Sequence, residues 1–455
     1  MKIIIAGDGK VGAALTRQLS TEGYDLTLID TDQEVLERSL EQYDVMAVCG
    51  NCASMAVLQQ AGVEEASLLI AATSADELNL LCCMTAHGLN PNLHTIARIR
   101  SPEYTEQIYE MRDLFALSLT VNPERQAAVE IERLLKYPGF LKREAFARGR
   151  MELVELRLDA SSPLCNVALS NMNSVTKCKV LVCTVVRGGV AYAPDGNFVL
   201  RAGDRLFVTA PTNVLASLLK SLGILTHKVG HVMIAGGGRV SYYLAQSLQK
   251  SGIHVRIIEK DADRCERLAE ILTSPAISIV QGDASDLSLL EREGLSQCDA
   301  LVTLTGLDEL NIILSLQGKT RGVPQIITKL GHMSSTAVLD SLPLGSVISP
   351  KELCSNSIVR YVRAMQNQTG AAVAVHSIAD GQAEAIEFLV DESTRHCGEP
   401  LRDLALRKNV LVAGITRGDT TQIPNGESSF LPGDSVVIVT SSGGGVIYQL
   451  NDIFA

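Results

Sequence analysis

The chain has 455 residues, 46% hydrophobic and 4% aromatic with no Trp, and carries a net charge of −11. That length implies two to four domains, and the acidic balance excludes a general nucleic-acid binder, which needs a basic face. Eleven scattered cysteines suit a reducing compartment, no run reads as a transmembrane helix, and Gly7-Asp8 interrupts the opening apolar run too early for a signal peptide.

Residues 2–6 form a short apolar strand, followed by the turn Gly7-Asp8-Gly9-Lys10-Val11-Gly12 and a helix ending at Gly23. "DLTLID" is a second strand closing on Asp30. "VMAVCG", "LLIAAT" and "HTIARI" follow, with helical stretches between them. Such alternation predicts an α/β lobe of Rossmann-like type, doubly wound around a parallel sheet. In a G-x-G-x-x-G loop the first glycine allows the turn and the second lets a pyrophosphate approach. The third lets the helix pack against its strand. Free N–H groups at the helix start, with Lys10 beside them, favour phosphate. Asp30, 18 residues after Gly12, stands where an acid binds ribose hydroxyls and favours NAD over NADP. Asn51, Cys52, Thr73 and Ser74 follow strand ends, where open α/β sheets bind ligands, and Arg98 is basic on the fifth strand.

Cys49-x-x-Cys52 lacks the second pair that a zinc or redox reading needs, and the pair His227/His231 has no third ligand near it. Asn122 and Pro123 open a helix with the apolar stripe Ala128, Ile131, Leu134, Leu135. That stripe requires a cover, from its own C-lobe, the other half or another subunit. "MELVELRL", "KVLVCTVV" and "DRLFVTA" then read as strands of a small α+β lobe closed by a helix near 212–222.

From residue 229 the pattern repeats. "VMIAGGGRVSYYLAQSL" aligns with "IIIAGDGKVGAALTRQL", so Gly236-Gly237-Gly238-Arg239-Val240 matches the first loop, with Ser241 in place of Gly12. Glu259 matches Asp30, Gly282-Asp283 matches Gly50-Asn51, Thr305 matches Thr73, and Lys329 matches Arg98. "ADELN" matches "LDELN", and Ser349 to Glu352 spells a capping box opening the second crossover helix. The expected division is 1–122, 123–142 and 143–225 for the N-lobe, crossover and C-lobe of half one. Half two follows as 229–348, 349–368 and 370–453. Because Ser241 replaces only the packing glycine, two working but unequal sites are expected. Tyr242 and Tyr243, in place of Ala13 and Ala14, imply different packing behind the second loop.

No proton donor suited to a dehydrogenase stands out, and the C-lobe is duplicated with its partner as a sensor module would be. The chain is therefore read as a non-enzyme with no metal site. A soluble NAD-dependent oxidoreductase or a regulator of another cation transporter is the alternative. The glycine loops, the strand-end acids, the "GN" and "GD" turns, the "DELN" motifs and the N-P-E helix start together resemble the RCK/KTN family, in its tandem-repeat form. The resemblance implies a peripheral regulator at the cytoplasmic face of the inner membrane, assembled as a homotetramer ring beneath a potassium-pore subunit of the TrkH/TrkG kind. It implies NAD(H), and ATP or ADP, as ligands. Carried over by position, Gly7, Gly9, Lys10, Val11, Asp30, Asn51, Thr73, Ser74 and Arg98 would line site one. Gly236, Gly238, Arg239, Val240, Glu259, Asp283, Thr305 and Lys329 would line site two.

Overall fold

The computed structural model describes residues 1–136, 141–222, 229–331, 342–365, 372–441 and 447–455. The first sheet contains β1 (Lys2–Ala6), β2 (Asp25–Asp30), β3 (Met46–Cys49), β4 (Leu68–Ala71), β5 (His94–Arg98) and β6 (Leu119–Val121). All neighbours are parallel, in the order 3-2-1-4-5-6. Ile3, Ile4 and Ile5 are 0% exposed, as a strand covered on both faces requires. Helices α1 (Lys10–Thr21), α2 (Gln33–Gln42), α3 (Met55–Gln60), α4 (Asp76–Leu89) and α5 (Pro102–Glu110) connect the strands. The winding reverses between β1 and β4, which opens a crevice beyond their carboxyl ends.

Crossover helix α6 (Pro123–Lys136) leads into an antiparallel lobe of β7 (Lys142–Phe146), β8 (Met151–Arg157), β9 (Leu181–Arg187), β10 (Val190–Tyr192) and β11 (Arg205–Pro211). The short α7 (Met172–Thr176) and the closing α8 (Thr212–Ser221) complete it. Sequence patterning had not revealed β6, β7 or β10: two have only three residues, and Lys142–Phe146 opens on three consecutive charged residues with no alternation.

The second half repeats this plan. Its parallel sheet holds β12 (His231–Ala235), β13 (His254–Glu259), β14 (Ile277–Gln281), β15 (Ala300–Thr303), β16 (Gln325–Lys329) and β17 (Ser346–Ile348). It carries α9 (Arg239–Lys250), α10 (Ala262–Ile271), α11 (Leu287–Arg292) and α12 (Asp308–Thr320). Crossover helix α13 (Pro350–Met365) precedes the antiparallel strands β18 (Ala372–Ile378), β19 (Ala383–Leu389), β20 (Val410–Arg417), β21 (Thr420–Gln422) and β22 (Ser435–Ser441).

The crossover helices exchange partners. Ala127, Ala128, Ile131, Leu134 and Leu135 of α6 pack with Val240, Tyr243, Leu244 and Leu248 of α9 in the other half. Reciprocally, Cys354, Ile358, Val359 and Val362 of α13 pack with Val11, Leu15 and Leu19 of α1. The cover demanded by each apolar stripe is therefore the opposite half. Polar contacts reinforce it: Gln325 donates to the Leu134 carbonyl at 2.8 Å, and Arg363 grips Glu22 through two bonds of 3.0 and 2.7 Å. The two antiparallel lobes also meet face to face, with Phe146, Met151 and Phe207 against Ile378, Ala385 and Val437. A Cβ at Gly414 would fall 1.9 Å from the Met151 sulfur, so a side chain there would push the Met151 tip out of this contact.

Capping differs from expectation at one helix. Asn122 caps α6 by accepting from the Arg125 N–H at 2.8 Å. Ser349 does not close a capping box on α13, because its hydroxyl is buried with no hydrogen-bond partner among the described residues. In each antiparallel lobe the repeated Gly-Asp pair has a structural task. Asp204 and Asp434, each 1% exposed, take two-pronged bonds from Arg187 and Arg417.

Candidate functional site

The glycine loop joins β1 to α1 by three separate physical requirements. Gly7 has φ +93°, and a Cβ there would come within 2.8 Å of the Thr73 nitrogen. A Cβ at Gly12 would lie 2.0 Å from the Gly7 carbonyl oxygen. Gly9 is different: its backbone is extended, and a Cβ would meet no atom within 4 Å. The protein itself does not need a glycine at Gly9, so the missing Cβ leaves room for something else at the N-terminus of α1. Gly236 (φ +103°) and Gly238 behave as Gly7 and Gly9 do. Ser241 resolves the departure in the second loop: it is fully buried, and its hydroxyl donates to the Gly236 carbonyl at 2.5 Å. The serine replaces a bare packing contact with a hydrogen bond.

A cleft of about 570 Å³ opens at the switch point. Gly7, Gly9, Lys10, Val11, Asp30, Asn51, Cys52, Thr73, Ser74 and Arg98 all line it. Two expected residues do not. Asp8 is 2% exposed, and its carboxylate turns inward to accept from Ser39 at 2.5 Å and Thr16 at 3.4 Å. Burial pushes its carboxyl above the usual carboxylate range, with Asp30 adding to the shift against those two hydroxyls. Gly12 serves packing alone.

Asp30 is half-buried at the cleft edge. It accepts from the Asp8 N–H at 2.7 Å and the Asp32 N–H at 3.0 Å, which fix it against the loop. Asn51 closes a tight turn by accepting from the Ala53 N–H at 3.0 Å. Cys52 and Cys49 do not form a ligand pair, since Cys49 is exposed and the free Cys52 thiol is hydrogen-bonded with that of Cys82. His227 lies outside the described residues, and His231 stacks on His254 at 5.2 Å.

The "DELN" motifs brace the site rather than face it. Asn79 accepts from the Thr73 N–H at 2.9 Å and donates to the Arg98 carbonyl at 2.8 Å. Asn311 does the same for Thr305 and Lys329, at 2.9 and 3.0 Å. Asp76 accepts from the Arg100 and Ser101 N–H groups, and Asp308 from that of Gly331. These side chains hold the ends of β4 and β5, and of β15 and β16, at fixed separation.

Val240 and Lys329, assigned by sequence to a second site, also line this first cleft, together with Gly331, Pro350 and Lys351. Both halves therefore wall this one cleft. Arg100, Glu124 and Lys351 were missed. Their repeat equivalents are Gly331, Lys351 and Glu124, so comparison of the halves carried no signal. Lys10, Arg98, Arg100, Lys329 and Lys351 gather here against Asp30 and Glu124, in a chain that is acidic overall. Burial depresses the Arg98 guanidinium, and Arg100 depresses it further. Burial likewise lowers the Lys329 ammonium, and Lys10 adds to the effect against Asp308 and Glu124. The Arg98 Nε has no hydrogen-bond partner among the described residues. Crowded, partly desolvated cations of this kind are relieved by a bound anion.

Around the second loop, Glu259 is 6% exposed and accepts from the Gly237 N–H at 2.7 Å and the Asp261 N–H at 2.9 Å. Arg264 lies 3.4 Å from the same carboxylate. Its acid is therefore covered where Asp30 is accessible. Arg239 and Asp283 are exposed, Asp283 forming the same tight turn as Asn51. Thr305 mirrors Thr73, and Gly282 mirrors Gly50 by leaving space for Leu289 where Gly50 leaves space for Val57.

Fold and cleft define a class: a tandem pair of dinucleotide-fold lobes, each with an antiparallel companion lobe. The TrkA-N domain family matches residues 3–116 and 232–350, and the TrkA-C domain family matches 153–223 and 385–448. The Trk system potassium uptake protein TrkA of Halomonas elongata is 30% identical over 443 residues, covering 96% of this chain and 95% of the relative. That of Vibrio alginolyticus is 31% identical over 444 residues, with coverage of 96% and 95%. The chain belongs to the TrkA family. Among solved structures, the GsuK RCK domain superposes with a TM-score of 0.61 at 17% identity, covering 97% of this chain and 93% of that one. A GsuK channel bound to NAD gives 0.60 at 18% identity, with coverage of 97% and 77%. At those identities the likeness concerns the fold.

Proposed function

We propose that the chain is a nucleotide-sensing, non-enzymatic regulatory subunit of potassium uptake, acting on a separate membrane pore subunit of the TrkH/TrkG kind. Full-length similarity to potassium uptake proteins supports the process. The observation that carries the ligand is the empty space on Gly9 at the start of α1, inside a cation-lined cleft. In this reading the loop N–H groups and Lys10 take the phosphates of NAD(H), ATP or ADP, and Asp30 takes the ribose hydroxyls. Arg98 and Arg100, with Lys329 and Lys351 from the other half, meet any further phosphate. A ligand that spans both halves binds one arrangement of them better than another, which is the condition for regulation. The second site, with Glu259 covered by Arg264, binds more weakly or binds a different nucleotide.

The division at 1–122, 123–142, 143–225, 229–348, 349–368 and 370–453 serves this reading as sensing lobes, crossovers and companion lobes. Among the described residues no helix is long and apolar enough to cross a membrane. We place the protein peripherally, at the cytoplasmic face of the inner membrane, as a homotetramer ring.

Calorimetric titration of the intact chain with NADH and ATP tests the cleft. Gly9→Val should lower first-site affinity by about tenfold or more while costing about 1 kcal/mol of stability through the N-cap of α1. Gly238→Val should affect the other site only. Failure of the wild type to bind either nucleotide at millimolar concentration would sink the proposal.

A further inference from the structure

A separate cavity of about 420 Å³ lies where the crossover helices meet the antiparallel lobes. Its walls come from α6, α13, β7 and β18, with α5 and β6 of the first half, and they contain residues at matching places in the repeat. Arg133 and Arg360 each stand ten residues beyond the leading proline of their helix, Pro123 or Pro350. Glu144 and His376 each stand three residues before a left-handed alanine, Ala147 or Ala379. The cavity therefore lies where repeat-equivalent positions of the two halves come together, while Ile99, Ile108, Thr120 and Val121 extend it into the first half alone.

Its charges are not self-compensated. Arg125, Arg133 and Arg360 face Glu130 and Glu144 around it. Arg133 pairs with Glu130 at 3.0 Å, and Glu144 with His376 at 2.6 Å. Both acids are thus engaged, while the guanidinium groups of Arg125 and Arg360 make no hydrogen bond or ion pair among the described residues. His376 is 9% exposed, and its Nε2 is buried with no partner among those residues. With Arg133 offset by Glu130, the Arg360 guanidinium is left uncompensated in a cavity that holds two other guanidinium groups, and a bound anion relieves it. A guanidinium fork fits phosphate oxygens in two-pronged geometry, and the volume suits a small ligand.

We propose that this cavity is a second ligand site, distinct from the nucleotide cleft, that takes a compact polyphosphate anion between the two crossover helices. Arg133 and Arg360 grip it from opposite helices and Arg125 adds charge at the mouth. The occupant touches both crossover helices and the first strand of each antiparallel lobe, so it ties sensing lobes to companion lobes. The inference does not depend on nucleotide occupancy of the cleft.

The test is calorimetric titration of the full chain with inorganic pyrophosphate. Binding should persist in the double variant Gly9→Val, Gly238→Val, which alters both glycine loops. It should weaken by about tenfold or more in R360A, and by a smaller factor in R360K, which keeps the charge but loses the fork. Unchanged thermal unfolding and unchanged NADH affinity in R360A would confirm that its fold and cleft survive. In the double glycine variant, displacement of pyrophosphate by ADP would identify the natural anion as a nucleotide tail. Its absence would identify a free polyphosphate. The proposal is overturned if wild type does not bind pyrophosphate, if R360A binds as wild type does, or if the glycine variants abolish binding.

Discussion

Asp8 and Gly237 hold the same place in the two loops yet meet different surroundings. Gly237 packs on the Glu259 and Leu268 side chains, whereas Asp8 buries a carboxylate between Thr16 and Ser39. Because burial raises its folded-state pKa, folding takes up a proton between the unfolded and folded values. The associated stability is complete below the unfolded value and is lost as pH rises through the folded one. Asp8→Asn removes this titration and preserves an acceptor for Ser39. The variant should gain stability over wild type at neutral pH and lose that gain in acid, as read from denaturant unfolding at pH 4 and pH 7. An equal difference at both pH values would contradict the assignment. The loop glycines, Asp30, Thr73 and Arg98 were legible in sequence because a strand, a tight turn and a helix start impose local rules. Asp8 was misread because its side-chain direction depends on Ser39 of α2, which no loop motif encodes. Lys329 and Val240 reached the first cleft only through the placement of one half on the other.

At the scale of elements, the exchange of crossover helices sets the geometry of the cleft. The apolar stripe on α6 announced that a cover was needed, but periodicity contains no address for its partner. Tyr243 shows what the second half contributes: its hydroxyl donates to the Arg100 carbonyl at 3.1 Å and accepts from Asn122 at 3.0 Å. The residue that replaces Ala14 therefore supports the first cleft from behind. Ile131 is fully buried at the α6–α9 contact. Ile131→Ala should cost about 2–4 kcal/mol in global unfolding. It should also weaken nucleotide binding in the first cleft, although it touches no ligand. Loss of stability with unaltered affinity would show that the clasp does not position Lys329 and Lys351.

At the scale of the whole molecule, the halves are joined by the exchanged helices and by the face-to-face antiparallel lobes. Each of these interfaces buries side chains from both halves. Co-expression of separate polypeptides 1–222 and 229–455 should therefore yield a one-to-one complex that survives gel filtration. Recovery of the two pieces as independent monomers would show that the connection between them, rather than their packing, holds the protein together. The fold class and the duplication were legible from repeated glycines and strand-end acids. The mutual embrace was not, since it depends on surfaces that become neighbours only after both halves have formed.

That embrace gives the peptide connection an evolutionary meaning separate from mechanical strength. Two identical chains clasped in this way would always carry two identical clefts, so any change to one would be copied in the other. Fusing them into one gene fixes the ratio of unlike halves at one to one. Ser241, Tyr243, Glu259 and Arg264 could then diverge from their counterparts Gly12, Ala14, Asp30 and Val35 without producing mismatched assemblies. What fusion contributes is the permanent licence for the two faces of one clasp to become different.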